Sequence, residues 1–378
     1  MPNPWVPRLA GPGLAMLLSL IPASVGRPGP PTAQAQARRA GHERLQAEVE
    51  RVWRETGVPG IAVALQEGDT PPLYASAGYA DVDRGIPMTS ETPFFLGSIS
   101  KNIFATVLLQ LVEEGRLDLD EPLATFVEWP RGEEITVRML LNHTSGIPDY
   151  FRTLGLSERE GGIPGFFSRP HPPSEIFEMM PSRDPVFDPG SDQRYSNTNG
   201  LLAGRVIEEV TGRSLADVYR ERIAAPLGLD GSYLYVESDR PRTRARGYCG
   251  TPGWVSTPGE LADCSFADEA LPNSADGSVV ASARDLLRYH RALRGGELLG
   301  EDAWRAMRHV EPGRANGLGY LIMTGPMGDH EGNAGRAMGH VSADVYYPDL
   351  DLFVVMMVNR GDVPLPIRRL LEIRYPER

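Results

Sequence analysis

The sequence predicts a mixed α/β (α+β) fold: one antiparallel sheet built from both ends of the chain with flanking helices, plus an inserted, mostly helical lobe. Three observations predict it. Strand-type runs cluster near the start (IAVALQEG, PLYASAGYA) and again near the end (GYLIMT, SADVYYP, LFVVMMVN). The stretch from Pro122 to about Leu271 reads instead as short helices and long loops, with Pro and Gly frequent between Gly161 and Gly190. At 378 residues and 41% hydrophobic composition, the chain is long enough for a sizeable core and two lobes. The sheet-bearing lobe is expected over about 42–121 and 272–378, and the helical lobe over about 122–271.

The elements follow in order. Residues 1–37 carry Arg8, the apolar run Leu14 to Val25 and then PGPPTAQAQA, with Ala33, Ala35 and Ala37 as small-residue cleavage sites. A run of about a dozen apolar residues is short for a membrane span, so it reads as a secretory signal peptide. The mature chain, residues 38–378, is then expected to be secreted or periplasmic, with no stable membrane span. HERLQAEVERVWRETG places Leu45, Val49, Val52 and Trp53 at helical spacing and stops at Gly57. The two early strands flank the turn-rich GDTPP. SKNIFATVLLQLVEEG puts Phe104, Leu108, Leu111 and Val112 on one helical face and closes at Gly115. Ser214 with Asp217, and Ser282 with Asp285, are capping boxes ahead of apolar runs. The last two strands are joined by the turn DLD.

Charge and cysteines narrow the classes. Fifty acidic against 38 basic residues give a net charge of -12, with no basic run to neutralise a phosphate backbone, so nucleic acid is not an expected partner. The only cysteines, Cys249 and Cys264, lie in a Gly- and Pro-rich stretch. In an exported protein they are a possible disulfide; two free buried thiols are the alternative. Neither has a His/Cys cluster at metal-ligand spacing, and no metal is expected.

One residue breaks the pattern of the positive charges. Lys101, in FFLGSISKNIF, is the sole lysine; every other Lys or Arg position holds Arg. An ammonium can lose its proton when desolvated or crowded by positive charge, whereas a guanidinium stays charged. Ser98 and Lys101 are three apart in the first turn of a helix, on one face, so a hydroxyl can meet an amine. The positive end of the helix disfavours an ammonium and turns the Ser98 backbone N–H toward a developing oxyanion. Lys101 is therefore expected to serve as a base for Ser98. His143 and Ser145, in NHTSG, fit a structural turn better than a His/Ser triad. The absence of GxSxG around a candidate serine weighs against an α/β-hydrolase elbow. His330 and Glu331 do not begin a zinc-binding HExxH, because position 334 is Ala.

On these residues the chain resembles the serine β-lactamase and penicillin-binding superfamily, in the branch of class C β-lactamases, D,D-carboxypeptidases, D-aminopeptidases and related esterases. SISK matches the first motif, YSN (Tyr195, Ser196, Asn197) the second, and HEG (His330, Glu331, Gly332) the HxG form of the third. ITVRMLLNHTSGIPDY, FDPGSDQRYSN, RVIEEVTG, APLGL and ADGSVVASARDL match in the same order, from about Glu48 to about Asp362. The resemblance implies a β-lactamase/transpeptidase-like catalytic domain with Ser98 as acylated nucleophile and Lys101 and Tyr195 as the proton-transfer pair. It implies Asn197 and His330 as substrate-binding residues, and an oxyanion hole from the backbone N–H groups of Ser98 and Asn333, beside Gly332. No metal or organic cofactor is needed, and the substrate is a small molecule or a peptide.

The third motif departs from the KTG usual in β-lactamases of this branch, whose cation and hydroxyl help receive the substrate carboxylate. Here the cation would be replaced by His330 and the hydroxyl by Glu331, which would repel an anion. The run from His330 to Pro348 is also longer than the family leads one to expect, which keeps His340 as a weaker candidate for the motif histidine. The expected function is thus an exported serine hydrolase acting through an acyl-enzyme on ester or amide bonds, with weak β-lactamase activity at most. A catalytically idle penicillin-binding or scaffold protein of the same fold is the alternative.

Overall fold

The computed structural model describes residues 32–156, 166, 169–236, 244–250, 262–270, 272–314, 316–325 and 328–377. The apolar run Leu14 to Val25 read as a signal peptide lies outside them. Helix α1 (Ala33–Thr56) starts earlier than the periodicity suggests, because Thr32 caps it by accepting from Ala35 N at 3.2 Å. It ends at Gly57, in a left-handed conformation. Strands β1 (Gly60–Glu67) and β2 (Leu73–Asp81) form the expected hairpin, followed by the short β3 (Ile86–Pro87) and β4 (Phe94–Phe95). Helix α2 (Ile99–Glu113) comes next and buries Phe104, Leu108 and Leu111.

The middle of the chain holds short helices: α3 (Val137–Leu141), α4 (Tyr150–Thr153) and α5 (Pro173–Met179). The longer α6 (Asn197–Thr211) is followed by α7 (Leu215–Tyr219) and α8 (Ala225–Leu227). Short strands β5 (Tyr233–Leu234), β6 (Tyr248–Cys249) and β7 (Ala262–Asp263) lead to α9 (Ser265–Asp268) and β8 (Val279–Ala281). Then come α10 (Ala283–Arg294) and α11 (Glu301–Arg308). Both capping boxes form: Ser214 Oγ accepts from Asp217 N at 3.2 Å and opens α7, and Ser282 Oγ accepts from Asp285 N at 3.1 Å and opens α10.

Strands β9 (Leu321–Gly325), β10 (Gly328–Arg336), β11 (Val341–Tyr347) and β12 (Leu352–Val358) precede the final helix α12 (Ile367–Arg374). The main sheet runs β3-β2-β1-β12-β11-β10-β9, antiparallel, so the two chain ends meet where β1 pairs β12. That pairing buries both faces. Ile61, Val63 and Leu65 face α1 and α12, whereas Ala62, Ala64 and Met357 face the core around α2. Strand β10 has no apolar alternation, and its place is set by the ladder to β11, from Glu331↔Tyr346 to Arg336↔Val341. No helix among the described residues is long and apolar enough to cross a membrane. Cys249 and Cys264 are free thiols.

Candidate active site

Gly97 takes a left-handed φ of 56°, which turns the chain from β4 into α2 and sets Ser98 as the first residue of the helical turn. From there the i, i+3 relation brings Lys101 Nζ to 3.1 Å from Ser98 Oγ. Lys101 Nζ also donates to Asn197 Oδ1 at 2.8 Å and to the Asp276 carbonyl at 2.7 Å. With two directions of the tetrahedral nitrogen held by those acceptors, the third faces the serine: a donor when charged, a lone pair when neutral. Tyr195 Oη lies 2.7 Å from Ser98 Oγ and donates to Asn197 Oδ1 at 3.3 Å. The structure thus brings Ser98, Lys101, Tyr195 and Asn197 into one cluster.

Three neighbours, which the sequence offered only within matching stretches and without a role, hold this cluster in place. Asp149 Oδ1 accepts from both Asn197 N (3.0 Å) and Asn197 Nδ2 (3.1 Å), which leaves the amide oxygen facing Lys101 and Tyr195. His143, at φ 61°, packs its ring on Tyr195 with centroids 4.5 Å apart. Its Nδ1 faces two donors, Asn199 Nδ2 at 3.1 Å and Ser196 N at 3.4 Å. Burial, with the Lys101 charge adding to it, pulls this imidazole down to about 3. It stays neutral, as a prop for Tyr195 rather than a proton carrier. Asp276 is buried with its carboxyl accepting from Tyr150 Oη at 2.8 Å and touching Ser274 Oγ. Burial raises its pKa, and the nearby Lys101 charge opposes that rise. The NHTSG turn and the IPDY and ADG stretches are therefore the frame of the site.

The third motif needs correction. His330, Gly332 and Asn333 were expected beside Ser98, but Gly335 takes that place. A Cβ on Gly335 would lie 1.8 Å from Leu96 O and 3.0 Å from Ser98 N, and one on Gly97 would lie 2.8 Å from Arg336 N. Strand β9 pairs with β10 only as far as Gly332↔Leu321, so the remaining edge of β10 is open to the start of α2. Asn333-Ala334-Gly335 thus occupies the position expected for His330-Glu331-Gly332, and the backbone beside Ser98 is that of Arg336 rather than Asn333. His330 lies five residues back, about 16 Å along the strand and on the other face. There its ring stacks on Tyr347, centroids 5.3 Å apart, in the layer shared with α1 and α12. Asn333 is buried on the α2 side, its amide nitrogen 3.2 Å from Gly319 O when oriented as a donor. His340 is also absent from the cluster; it is buried at the end of the turn that joins β10 to β11.

Glu331 neither reaches the site nor points into solvent. It is 2% exposed, with Arg308 donating at 2.8 and 2.6 Å and Arg294 on its other oxygen. It ties β10 to α10 and α11. Glu331→Thr would leave two guanidinium groups facing an empty buried pocket, and we expect a loss of about 3 kcal/mol in urea unfolding. The ranking of substrates should stay unchanged. A Glu331→Thr protein of wild-type stability would contradict the structural role.

The Beta-lactamase family profile matches residues 45–373, and the chain belongs to that family. Esterase EstB of Burkholderia gladioli is 34% identical over 210 residues, which cover 52% of this chain and 53% of that protein. A D-aminopeptidase of Brucella anthropi is 33% identical over 194 residues, 51% of this chain and 36% of that one. Among solved structures, D-amino acid amidase from Ochrobactrum anthropi SV3 superposes with a TM-score of 0.74 at 28% identity, covering 88% of this chain and 98% of that one. Within the family, this chain is a serine hydrolase.

Proposed function

We propose that this protein is an exported hydrolase that forms an acyl-enzyme on Ser98 and acts on amides or esters of D-amino acids, with weak β-lactamase activity at most. The observation that carries the reading is Ser98 Oγ held between Tyr195 Oη at 2.7 Å and Lys101 Nζ at 3.1 Å. In the proposed sequence Ser98 Oγ attacks the substrate carbonyl and gives its proton to the Lys101–Tyr195 pair. The backbone N–H groups of Ser98 and Arg336 receive the developing oxyanion. The pair then protonates the leaving amine or alcohol, and water hydrolyses the ester on Ser98 with the same groups in reverse roles.

The corrected third motif supports this substrate class. Asn333 and Ala334 stand where the β-lactamases of this branch carry a cation and a hydroxyl for the substrate carboxylate. An amide and a methyl group supply neither, so an anionic β-lactam loses its anchor while a neutral or cationic acyl donor loses nothing. The Arg336 guanidinium does not replace that cation, being turned to Val363 O at 3.2 Å. Similarity to D-amino acid amidase and D-aminopeptidase supports the same class. We expect kcat/KM to be highest for a D-amino acid amide or a neutral ester and lowest for a cephalosporin. A cephalosporin as the best substrate would overturn the assignment, and a stoichiometric burst without turnover on any of them would favour the idle alternative.

Export rests on the sequence of residues 1–37. Intact-mass analysis of the secreted or periplasmic protein should give an N-terminus near Gln36 or Arg38, and a full-length species there would refute cleavage.

A further inference from the structure

We propose that the buried His340–Asp268 pair is a positioning element of the oxyanion hole, holding the Arg336 backbone against Ser98; the proposal rests on the catalytic reading above. Strand β10 ends at Arg336 and β11 begins at Val341, and the turn between them closes through Ala337 N donating to His340 O at 2.9 Å. His340 is the last residue of that turn and is 1% exposed. Its Nδ1 lies 2.8 Å from Asp268 Oδ2 and its Nε2 3.2 Å from Ala245 O, so the ring is held at both ends. The Asp268 carboxylate also accepts from Gly339 N at 3.3 Å, which ties it to two successive residues of the turn.

The same ring reaches the other half of the oxyanion hole. Phe94 packs edge-on against His340, with centroids 5.5 Å apart and planes at 75°, and Phe95 lies at 6.1 Å. These two phenylalanines form β4, three and four residues ahead of Ser98. Ser342, in the strand that follows His340, donates to Leu96 O at 3.1 Å. One imidazole therefore touches both segments whose backbone N–H groups would meet the oxyanion. The turn itself has no slack on its far side, because a Cβ on Gly339 would lie 2.2 Å from Gly247 Cα. Loosening the pair lets the Arg336 N–H drift relative to the Ser98 N–H, a misplacement felt by the transition state more than by the bound substrate.

The test compares His340→Leu with His340→Asn on the full chain. Leu removes both ring hydrogen bonds, whereas the Asn amide can still donate toward Asp268 from the Nδ1 side. With a neutral activated ester, His340→Leu should lower kcat about tenfold or more, a fraction of what one oxyanion donor supplies, with KM within about twofold. The rate of Ser98 labelling by a serine-reactive phosphonate should fall in parallel, and His340→Asn should restore both to within about threefold of wild type. Should His340→Leu fail to fold, Asp268→Asn is expected to show the same kcat loss at unchanged KM. A folded His340→Leu or Asp268→Asn protein with wild-type kcat overturns the proposal, as does an equal kcat loss in the Leu and Asn variants. Peptide mapping of the wild-type phosphonate adduct tests the catalytic reading separately: label away from Ser98 refutes that reading whatever the His340 variants do.

Discussion

Replacing Lys101 with arginine should lower turnover by about 10²- to 10⁴-fold while leaving the fold intact. The substitution keeps a positive charge beside Ser98 but removes the ability to take up and release a proton. The contacts explain why the loss should appear in kcat. The amine reaches three oxygens at once, those of Ser98, Asn197 and Asp276, within 2.7–3.1 Å. A planar fork cannot reproduce that tetrahedral set, and Gly200, whose added Cβ would lie 3.3 Å from Lys101 Cε, leaves little room for a longer head group. Circular dichroism and the melting temperature report the fold, and steady-state kinetics on a neutral ester report the chemistry. Near wild-type turnover in a folded Lys101→Arg protein would show that Lys101 is not the base.

Ser98→Ala should reduce turnover further, by about 10⁴-fold or more, because no acyl-enzyme can form without the hydroxyl. Labelling by a serine-reactive phosphonate should vanish with it. The change removes one small polar atom from the site edge, and the partners left behind retain others: Lys101 keeps Asn197 and Asp276, and Tyr195 keeps Asn197. The fold should therefore survive. Persistent labelling of the Ser98→Ala protein would place the nucleophile on another serine.

The two predictions draw on different parts of what was legible in the sequence. The lone lysine and its three-residue offset from Ser98 form a local signal, readable from helix geometry without any tertiary information. The capping serines at 214 and 282 are local in the same way, and each opens a helix where its pattern places one. Tyr195 and Asn197 needed more. Nothing in RYSN says that it meets a helix 97 residues earlier, and only the order of motifs across the chain pointed there. The frame around them was legible only as matching stretches: the roles of Asp149, His143 and Asp276 were not, because they accept hydrogen bonds from residues far away in sequence.

Strand β10 marks the boundary between the two kinds of information. Its sequence, GDHEGNAGR, contains two consecutive candidates for a motif ending in glycine, at Gly332 and at Gly335, three residues apart. An odd slip inverts every side chain across the sheet, so the choice between them decides whether His330 or Asn333 faces α2, and whether Glu331 meets substrate or two arginines. Chain-local patterns determined that a serine and an amine share one turn of a helix and that the sheet draws on both ends of the chain, and the order of motifs along it determined that an acyl-transfer family is the right comparison. The register of β10 against α2 is set by the ladder to β11, by the end of pairing with β9 at Gly332, and by the close approach of Gly335 to Leu96. The last of these joins residues more than two hundred positions apart, and a period-2 pattern without apolar alternation carries no energetic record of it in the strand itself. Tertiary packing alone therefore decided which glycine lies beside Ser98 and which charges remain near it.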